Sequence, residues 1–588
     1  MRILFLTHAF NSLTQRLYCE LSERGHLVSI EFDIADSVAE EAVALFQPDL
    51  IVAPYLRRAI PESIWKRHTC LIVHPGIVGD RGPSALDWAI QSQLREWGVT
   101  VLQAEAEMDA GPIWASETFP LRAARKSSIY RNEVTEAATR AVLKAVENFA
   151  AGGFVPTPLE VADPAVRGQL RPLMKQSDRI IDWSRDASAV VLAKLNAADG
   201  FPGVADTLFG EPCHLFDGFE EGLLRGRPGD VIARRETALC RATADGAVWI
   251  GHVKRRESIK LPATLAFAEQ CAVVPEEPLA GWWAAGHKTW QDIRYEEARV
   301  GENGSDNAVG YLHFEFTNGA MGTEQCQRLL EAYRWATQRP TKVIVLMGGR
   351  DFWSNGVHLN LIEAAESPAD ESWANINAID DLAEAIICTD SHLTIAAVQG
   401  NSGAGGCFLA RAADLVWARD GVLMNPHYKN MGNLFGSEYW TYLLPPRVGE
   451  DGARAIMQNR LPLTAKAGVA NGFLDACLAA EIGGNLGGNL DAFCADVARL
   501  AAELASASDL NQRLATKRDK RAADEAAKPL ARYRAEELSH MRRNFYGFDP
   551  SYHVARFHFV QKSPQSWTPR HLARHRDLGW KPDGDVPQ

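Results

Sequence analysis

Cys70-Leu71-Ile72-Val73-His74-Pro75-Gly76 is an unbroken apolar run that ends on a histidine and a Pro-Gly turn. A short apolar run bounded by turn residues reads as a strand buried on both faces, the kind found in parallel α/β sheets. The same texture recurs upstream at Ile3 to Thr7, Leu27 to Phe32 and Leu50 to Pro54, with a helical pattern from Thr14 to Arg24 between the first two. Ligands of such sheets sit beyond the carboxyl ends of strands. His8, Gln15, His74 and Arg81 all fall at or just past such ends.

Downstream the texture changes. From about Asp163 short strands such as Val231 to Ala233 and Ala247 to His252 alternate with Pro-Gly punctuation, as in a small barrel. The stretch Glu257 to Gly286 is less regular, and Pro275-Glu276-Glu277-Pro278 reads as a linker. A second α/β pattern begins near Gln291, with strands at Val309 to Phe316, Lys342 to Met347 and His392 to Gln399 and a helix at Thr323 to Thr337. After about Asn489 the chain is helical and charged, with its Tyr546 to Phe559 segment apolar enough to pack back. The expected division is an α/β domain at 1–160, a barrel at 161–270, a linker at 271–289, a second α/β domain at 290–490 and a helical C-terminal extension at 491–588.

The totals fit this. A chain of 588 residues is too long for one core. A net charge of -12 argues against nonspecific nucleic-acid binding. No apolar run is long enough for a membrane span, and Met1 to Leu6 reads as a first strand, not a signal peptide. Ten cysteines without C-x-x-C spacing suggest neither a zinc site nor a disulfide framework. The expected location is the cytoplasm and the expected partners are small molecules, with no metal, membrane or nucleic acid.

Two constellations carry chemistry. A histidine at a strand end, held by a carboxylate from a later loop, can shuttle a proton while an acyl carbon passes through an oxyanionic intermediate. His74 and Asp109, the latter within Met108-Asp109-Ala110-Gly111-Pro112-Ile113, supply that pair. The second constellation is Trp353-Ser354-Asn355-Gly356-Val357-His358-Leu359 with Gly400-Asn401-Ser402-Gly403-Ala404-Gly405-Gly406. Glycine-rich turns after strands let backbone N–H groups approach a thioester oxygen closely. Aligned by motif, the donors are Asn355 and Gly405.

The first constellation, with Pro48 to Val52, Arg81-Gly82-Pro83-Ser84-Ala85-Leu86-Asp87-Trp88-Ala89-Ile90 and Ile181-Asp182-Trp183, resembles the 10-formyltetrahydrofolate transferases over roughly residues 1–260. That resemblance implies a Rossmann-like domain followed by an OB-like barrel. It also implies 10-formyltetrahydrofolate as formyl donor, catalysis by His74 and Asp109, and folate contacts at Gln15, Arg81 and Gly82. The family's asparagine two residues before the histidine is here Ile72, which cannot donate. Either another group replaces it or the acceptor chemistry is easier, as with a thiolate.

The second constellation, continued by Leu409 to Asp414, resembles enoyl-CoA hydratase/isomerase over roughly residues 290–480. This implies a crotonase fold and coenzyme A as the thioester carrier. The hydratase glutamates would fall at Phe408 and Tyr428, so water addition is not expected. Tyr428 and Glu438 stand there to move protons, unless Tyr428 is a core tyrosine and Glu438 a solvated acid. Basic residues of the C-terminal helices, Arg542 among them, are candidates for the coenzyme's phosphates.

The order of modules resembles the HypX/HoxX hydrogenase maturation factors, through Thr7-His8-Ala9-Phe10-Asn11-Ser12, the isoleucine before the histidine and the Tyr428/Glu438 region. That resemblance implies carbon monoxide synthesis for [NiFe]-hydrogenase. Formyl would pass from the folate to coenzyme A, and formyl-CoA would be decarbonylated. Hydrogenase iron-centre maturation proteins would be partners. Two other readings use the same residues: an enzyme that stops at formyl-CoA or formate, and a non-catalytic one-carbon carrier or scaffold.

Overall fold

The computed structural model describes residues 1–299, 308–479 and 490–581. They form two compact units. One comprises Met1–Ser258, Pro262–Glu276 and Pro564–Gln588, the other Ile259–Leu261 and Glu277–Ser563. The junction at Glu276/Glu277 lies inside the Pro-Glu-Glu-Pro stretch.

In the first unit β1 (Arg2–Thr7), β2 (Leu27–Phe32), β3 (Leu50–Ala53), β4 (Cys70–His74), β5 (Glu96–Gln103) and β6 (Ile113–Pro120) form one sheet in the order β2-β1-β3-β4-β5-β6. β1 to β4 pair in parallel and are buried almost throughout, as their apolar runs require. The expected parallel sheet is nevertheless mixed. β5 runs antiparallel to β4, and β6 antiparallel to β5. Strands joined by a hairpin-like connection need no crossover helix, and the loop that joins β5 to β6 carries Asp109. Helix Thr135–Ala151 covers these two strands with its alanine and valine face.

A second sheet in this unit is antiparallel. Val204–Leu208, Glu211–Glu221, Ala247–Arg255, Ala238–Ala242 and Val231–Arg235 lie side by side in that order. The segment expected to be irregular holds two short helices, Ala263–Ala266 and Ala268–Cys271, around the fully buried Phe267.

The C-terminal extension departs from expectation. Its α-helices end with Ser551–Gln561, and the described residues from Pro564 onward, 564–581, belong to the first unit as a strap along β2. Ile30 N–H donates to Leu572 O at 3.0 Å, and Phe32 N–H to Thr568 Oγ1 at 2.9 Å. β2 is the edge of its sheet, and an uncovered edge is a liability that a strap removes. The strap also accounts for an acid inside a buried strand. Glu31 is held by His575 Nε2 at 2.9 Å, Arg576 Nε at 2.6 Å and the Thr568 hydroxyl. These bonds outweigh burial, which alone would raise the Glu31 carboxyl, and hold it below its ordinary value.

In the second unit Ile293–Arg299, Ala308–Phe314, Val343–Leu346, Leu393–Val398, Leu415–Arg419 and Ala476–Leu478 are neighbours in that order. The first pair is antiparallel and the rest are parallel. A smaller sheet aligns Phe352–Ser354, Asn401–Gly403, Leu423–Asn425 and Leu463–Thr464. It brings the two glycine turns together. Helices Pro368–Ile387 and Leu530–Tyr546 pack beside each other and share one apolar core with the large sheet.

Candidate functional sites

His74 ends β4, is 5% exposed, and lies between two carboxylates. Asp109 Oδ2 is 3.5 Å from Nδ1. Asp80 Oδ1 is 3.1 Å from Nε2. Asp109 has φ +55, a left-handed conformation that aspartate tolerates better than most residues. Its Oδ2 also accepts the Gly82 N–H at 3.1 Å, so the expected residues His74, Asp109 and Gly82 form one connected set. Gly76 lies against the imidazole so closely that a Cβ there would overlap the ring.

Asp80 was not among the expected residues. It is 2% exposed, its Oδ2 has no hydrogen-bond partner, and the nearest cation is Arg171 Nε at 3.9 Å. A buried carboxylate left with an unfilled oxygen costs free energy, so its retention beside the histidine points to use rather than packing. The one hint in the sequence was an acid in a Gly-Asp-Arg-Gly turn six residues past the histidine.

Arg81 is tied to Glu107 at 2.5 Å. Gln15 is half-buried and donates to Phe10 O at 2.9 Å. Ile72, whose side chain follows the same strand face as His74, packs partly against the core and offers no donor.

At the second site Gly356 and Gly405 face each other. A Cβ on Gly356 would stand 3.2 Å from Gly405 N. Gly405 opens the helix Gly405–Arg411, and no described residue accepts its N–H. Asn355 requires a correction. Its N–H, expected to be the second oxyanion donor, donates to Gly319 O at 2.7 Å, and its side-chain amide donates to Asn318 O at 2.8 Å. That acceptor belongs to the Thr317–Gly319 turn, where Asn318 and Gly319 both have positive φ. Gly405 is thus the free donor of the pair.

Glu438 and Tyr428 are neither solvated nor separate. Glu438 is 1% exposed and Tyr428 6%. The Tyr428 hydroxyl donates to Glu438 Oε2 at 2.5 Å. The carboxyl lies directly on Gly405, where a Cβ would overlap it. Glu438 and Tyr439 are consecutive residues at φ +58 and +60, a strained pair held by surrounding bonds. Burial, reinforced by the charge of Asp380, raises the Glu438 carboxyl, and burial beside Glu438 raises the Tyr428 phenol well above its ordinary range. Phe408, at the first hydratase-glutamate position, stacks on Tyr428 with ring centroids 5.8 Å apart. Two carboxylates not expected from sequence, Asp380 and Glu537, stand behind Glu438. Arg542 is exposed, while its neighbour Met541 is buried and touches Gly436 N.

Among the described residues no helix is long and apolar enough to cross a membrane. The formyl transferase family matches residues 30–146, and the formyl transferase C-terminal domain matches 173–270. Enoyl-CoA hydratase/isomerase matches 307–541, which carries that fold past 490 and through most of the C-terminal helices. Hydrogenase maturation factor HoxX of Bradyrhizobium diazoefficiens is 54% identical over 98% of this chain and 97% of its own. A methionyl-tRNA formyltransferase of Roseiflexus castenholzii is 30% identical over 39% of this chain and 73% of its own. The crystal structure of HypX from Aquifex aeolicus in complex with tetrahydrofolic acid superposes with a TM-score of 0.93 at 48% identity, over 99% of this chain and 100% of that one.

Proposed function

Because the chain belongs to the HypX/HoxX hydrogenase maturation factors, we propose that it makes carbon monoxide for a hydrogenase iron centre in two steps. The first moves a formyl group from 10-formyltetrahydrofolate to coenzyme A. The second splits formyl-CoA into carbon monoxide and free coenzyme A.

The residues support each step. In the first, His74 takes the thiol proton and returns it to the departing folate nitrogen. Asp109 and Asp80 fix the ring and stabilise the charge it carries in between. The bound tetrahydrofolic acid of the Aquifex relative supports folate as the donor. Arg81 and Gly82 lie within the matched formyl transferase region and Gln15 before it, and all three are the folate contacts of this proposal. A thiolate acceptor is nucleophilic enough to do without the donor that Ile72 lacks.

In the second step Gly405 N–H receives the formyl oxygen, while Tyr428 and Glu438 handle protons. Arg542 remains the candidate for coenzyme phosphates, being an exposed cation on a helix that packs beside this site. The observation that carries the proposal is the buried Tyr428–Glu438 pair set against the free Gly405 N–H. It is an acid-base pair on a thioester frame that lacks the hydratase glutamates.

The test is incubation of the purified protein with 10-formyltetrahydrofolate and coenzyme A, with a haem protein trapping carbon monoxide in the headspace. Carbon monoxide that requires both substrates supports the proposal. Formyl-CoA or formate without carbon monoxide would overturn the second step and leave the first.

A further inference from the structure

Asp380, from the helix Pro368–Ile387, and Glu537, from the helix Leu530–Tyr546, converge on the backbone that carries Glu438. All three carboxyls are buried, with exposures of 0%, 0% and 1% for Asp380, Glu537 and Glu438. Ser437 Oγ lies 2.8 Å from Asp380 Oδ2 and 3.3 Å from Glu537 Oε2, one hydroxyl hydrogen between two carboxyls. The nearest cation is Arg534, whose Nε is 3.8 Å from Asp380 Oδ2. Among the described residues no group of His, Cys, Asp and Glu is arranged to hold a metal ion, so these acids are not a ligand set. Three ionised carboxylates cannot share such a space with one guanidinium, and at least one proton must stay.

Hydrogen bonds decide where it stays, because donors favour the charged form of the group they reach. Glu537 accepts from Tyr439 N–H at 3.0 Å, Thr441 N–H at 2.8 Å and Thr441 Oγ1 at 2.6 Å, besides Ser437. Asp380 accepts from Glu438 N–H at 2.8 Å and from Ser437, and faces Arg534. Glu438 accepts on Oε2 alone, from Tyr428 and from Ser437 N–H at 3.2 Å. No described donor reaches its Oε1, the oxygen on the Gly405 side.

We propose that Asp380 and Glu537 are positioning residues whose fixed negative charges keep Glu438 in its acid form, so that Glu438 enters the reaction as a proton donor. Burial raises all three carboxyls, and the charge of Asp380 adds to the effect on Glu438 and on Glu537. The other titratable or charged groups facing Glu438 are Tyr428, Cys326, Cys407 and Arg534, the last acting through Asp380.

This rests on the decarbonylation reading above. On that reading the Glu438 proton passes to the thioester sulfur as the C–S bond breaks, its electron pair staying on sulfur. The formyl C–H pair becomes the carbon lone pair of carbon monoxide as its proton passes to the Glu438 carboxylate. The acid is restored, with no net proton, electron or water.

Infrared pH-difference spectroscopy of the full chain reads a protonated carboxyl directly, whether or not the protein turns over. The expected result is a carboxylic-acid band at neutral pH that Glu438→Gln abolishes. Its titration midpoint should fall by about one pH unit in Glu537→Gln and Asp380→Asn and rise in Arg534→Gln. The alkaline limb of carbon monoxide release from formyl-CoA should move with it, which a merely structural defect would not produce. A band that survives in Glu438→Gln, or a midpoint unmoved in all three other variants, overturns the proposal. If the buried-acid variants misfold, Arg534→Gln, altered at a partly exposed residue, decides by the upward shift alone. If the wild-type band behaves as expected but no carbon monoxide forms, the decarbonylation reading falls and the charge assignment stands.

Discussion

Gly405→Ala is a one-methyl test of the second site. Gly405 is the first residue of the helix Gly405–Arg411, and its φ is not in the left-handed region. Backbone preference alone would therefore favour alanine by about 1 kcal/mol. The new Cβ would overlap the Glu438 carboxyl, and overpacking of this kind costs about 1–3 kcal/mol. The net cost is at most about 2 kcal/mol, so the fold should survive with a modest fall in melting temperature. The carboxyl cannot stay where it is, however. It must retreat by about 1 Å, opening the 2.5 Å bond from Tyr428, and a displacement of that size at reacting groups costs on the order of 100-fold in rate. The assay is carbon monoxide release from formyl-CoA by the folded variant, with melting temperature measured alongside. Transfer from 10-formyltetrahydrofolate should continue, so formyl-CoA accumulates. A folded variant that releases carbon monoxide at the wild-type rate would refute the placement of the reaction between Gly405 and Glu438.

Other outcomes follow from the same contacts. Glu438→Gln should stop carbon monoxide release while coenzyme A binding, measured by calorimetry, stays intact. Asp109→Asn and Asp80→Asn should each slow deformylation of 10-formyltetrahydrofolate by on the order of 100-fold, since each leaves one side of the His74 ring without its carboxylate; wild-type rates in Asp80→Asn would reduce that residue to a buried structural acid. His575→Ala should cost about 1–3 kcal/mol in urea unfolding at neutral pH by leaving Glu31 and Ser29 short of a partner. The Glu31 carboxyl is held below its unfolded value, so its contribution is present above that value and is lost as pH falls through the folded one. The difference between wild type and His575→Ala should therefore shrink on acidification, and a difference that grows would contradict the pairing.

The strands β1 to β4 were legible because burial on both faces leaves a continuous apolar run that needs no partner to be recognised. The residues the sequence hid depend on contacts far along the chain. Glu31 makes sense only with His575, 544 residues away. Asn355 looked like a free donor because its motif aligns as one, and its acceptor, the Gly319 carbonyl, lies in an unrelated turn. Asp380 and Glu537 did leave a trace. Asp380 lies on the helix face of Ile376, Ile379, Ala383 and Ile387, and Glu537 precedes Leu538 and Met541 on the buried face of its own helix. An acid within an apolar stripe is a signal, but which carboxyl it meets is set by how the helices pack.

The aromatic pair at this site bears on whether water takes part. Phe408 is fully buried and stacks on Tyr428 with an interplanar angle of 13°, and Phe473 lies edge-on to it, so the first hydratase-glutamate position is filled by a hydrocarbon face. A water there would have neither a base nor a hydrogen-bond partner on that side. Glu438 is the carboxyl on the thioester frame, and its one firm side-chain bond is to a phenol. Hydrolysis would require Glu438 to activate water against this apolar wall, whereas decarbonylation asks only for a proton to be lent and recovered. Turnover of formyl-CoA in oxygen-18 water separates the two. Carbon monoxide should carry only the oxygen of the formyl group, with no labelled formate formed. Label appearing in either product would mean that water reaches the formyl carbon, and the reasoning from Phe408 would fail.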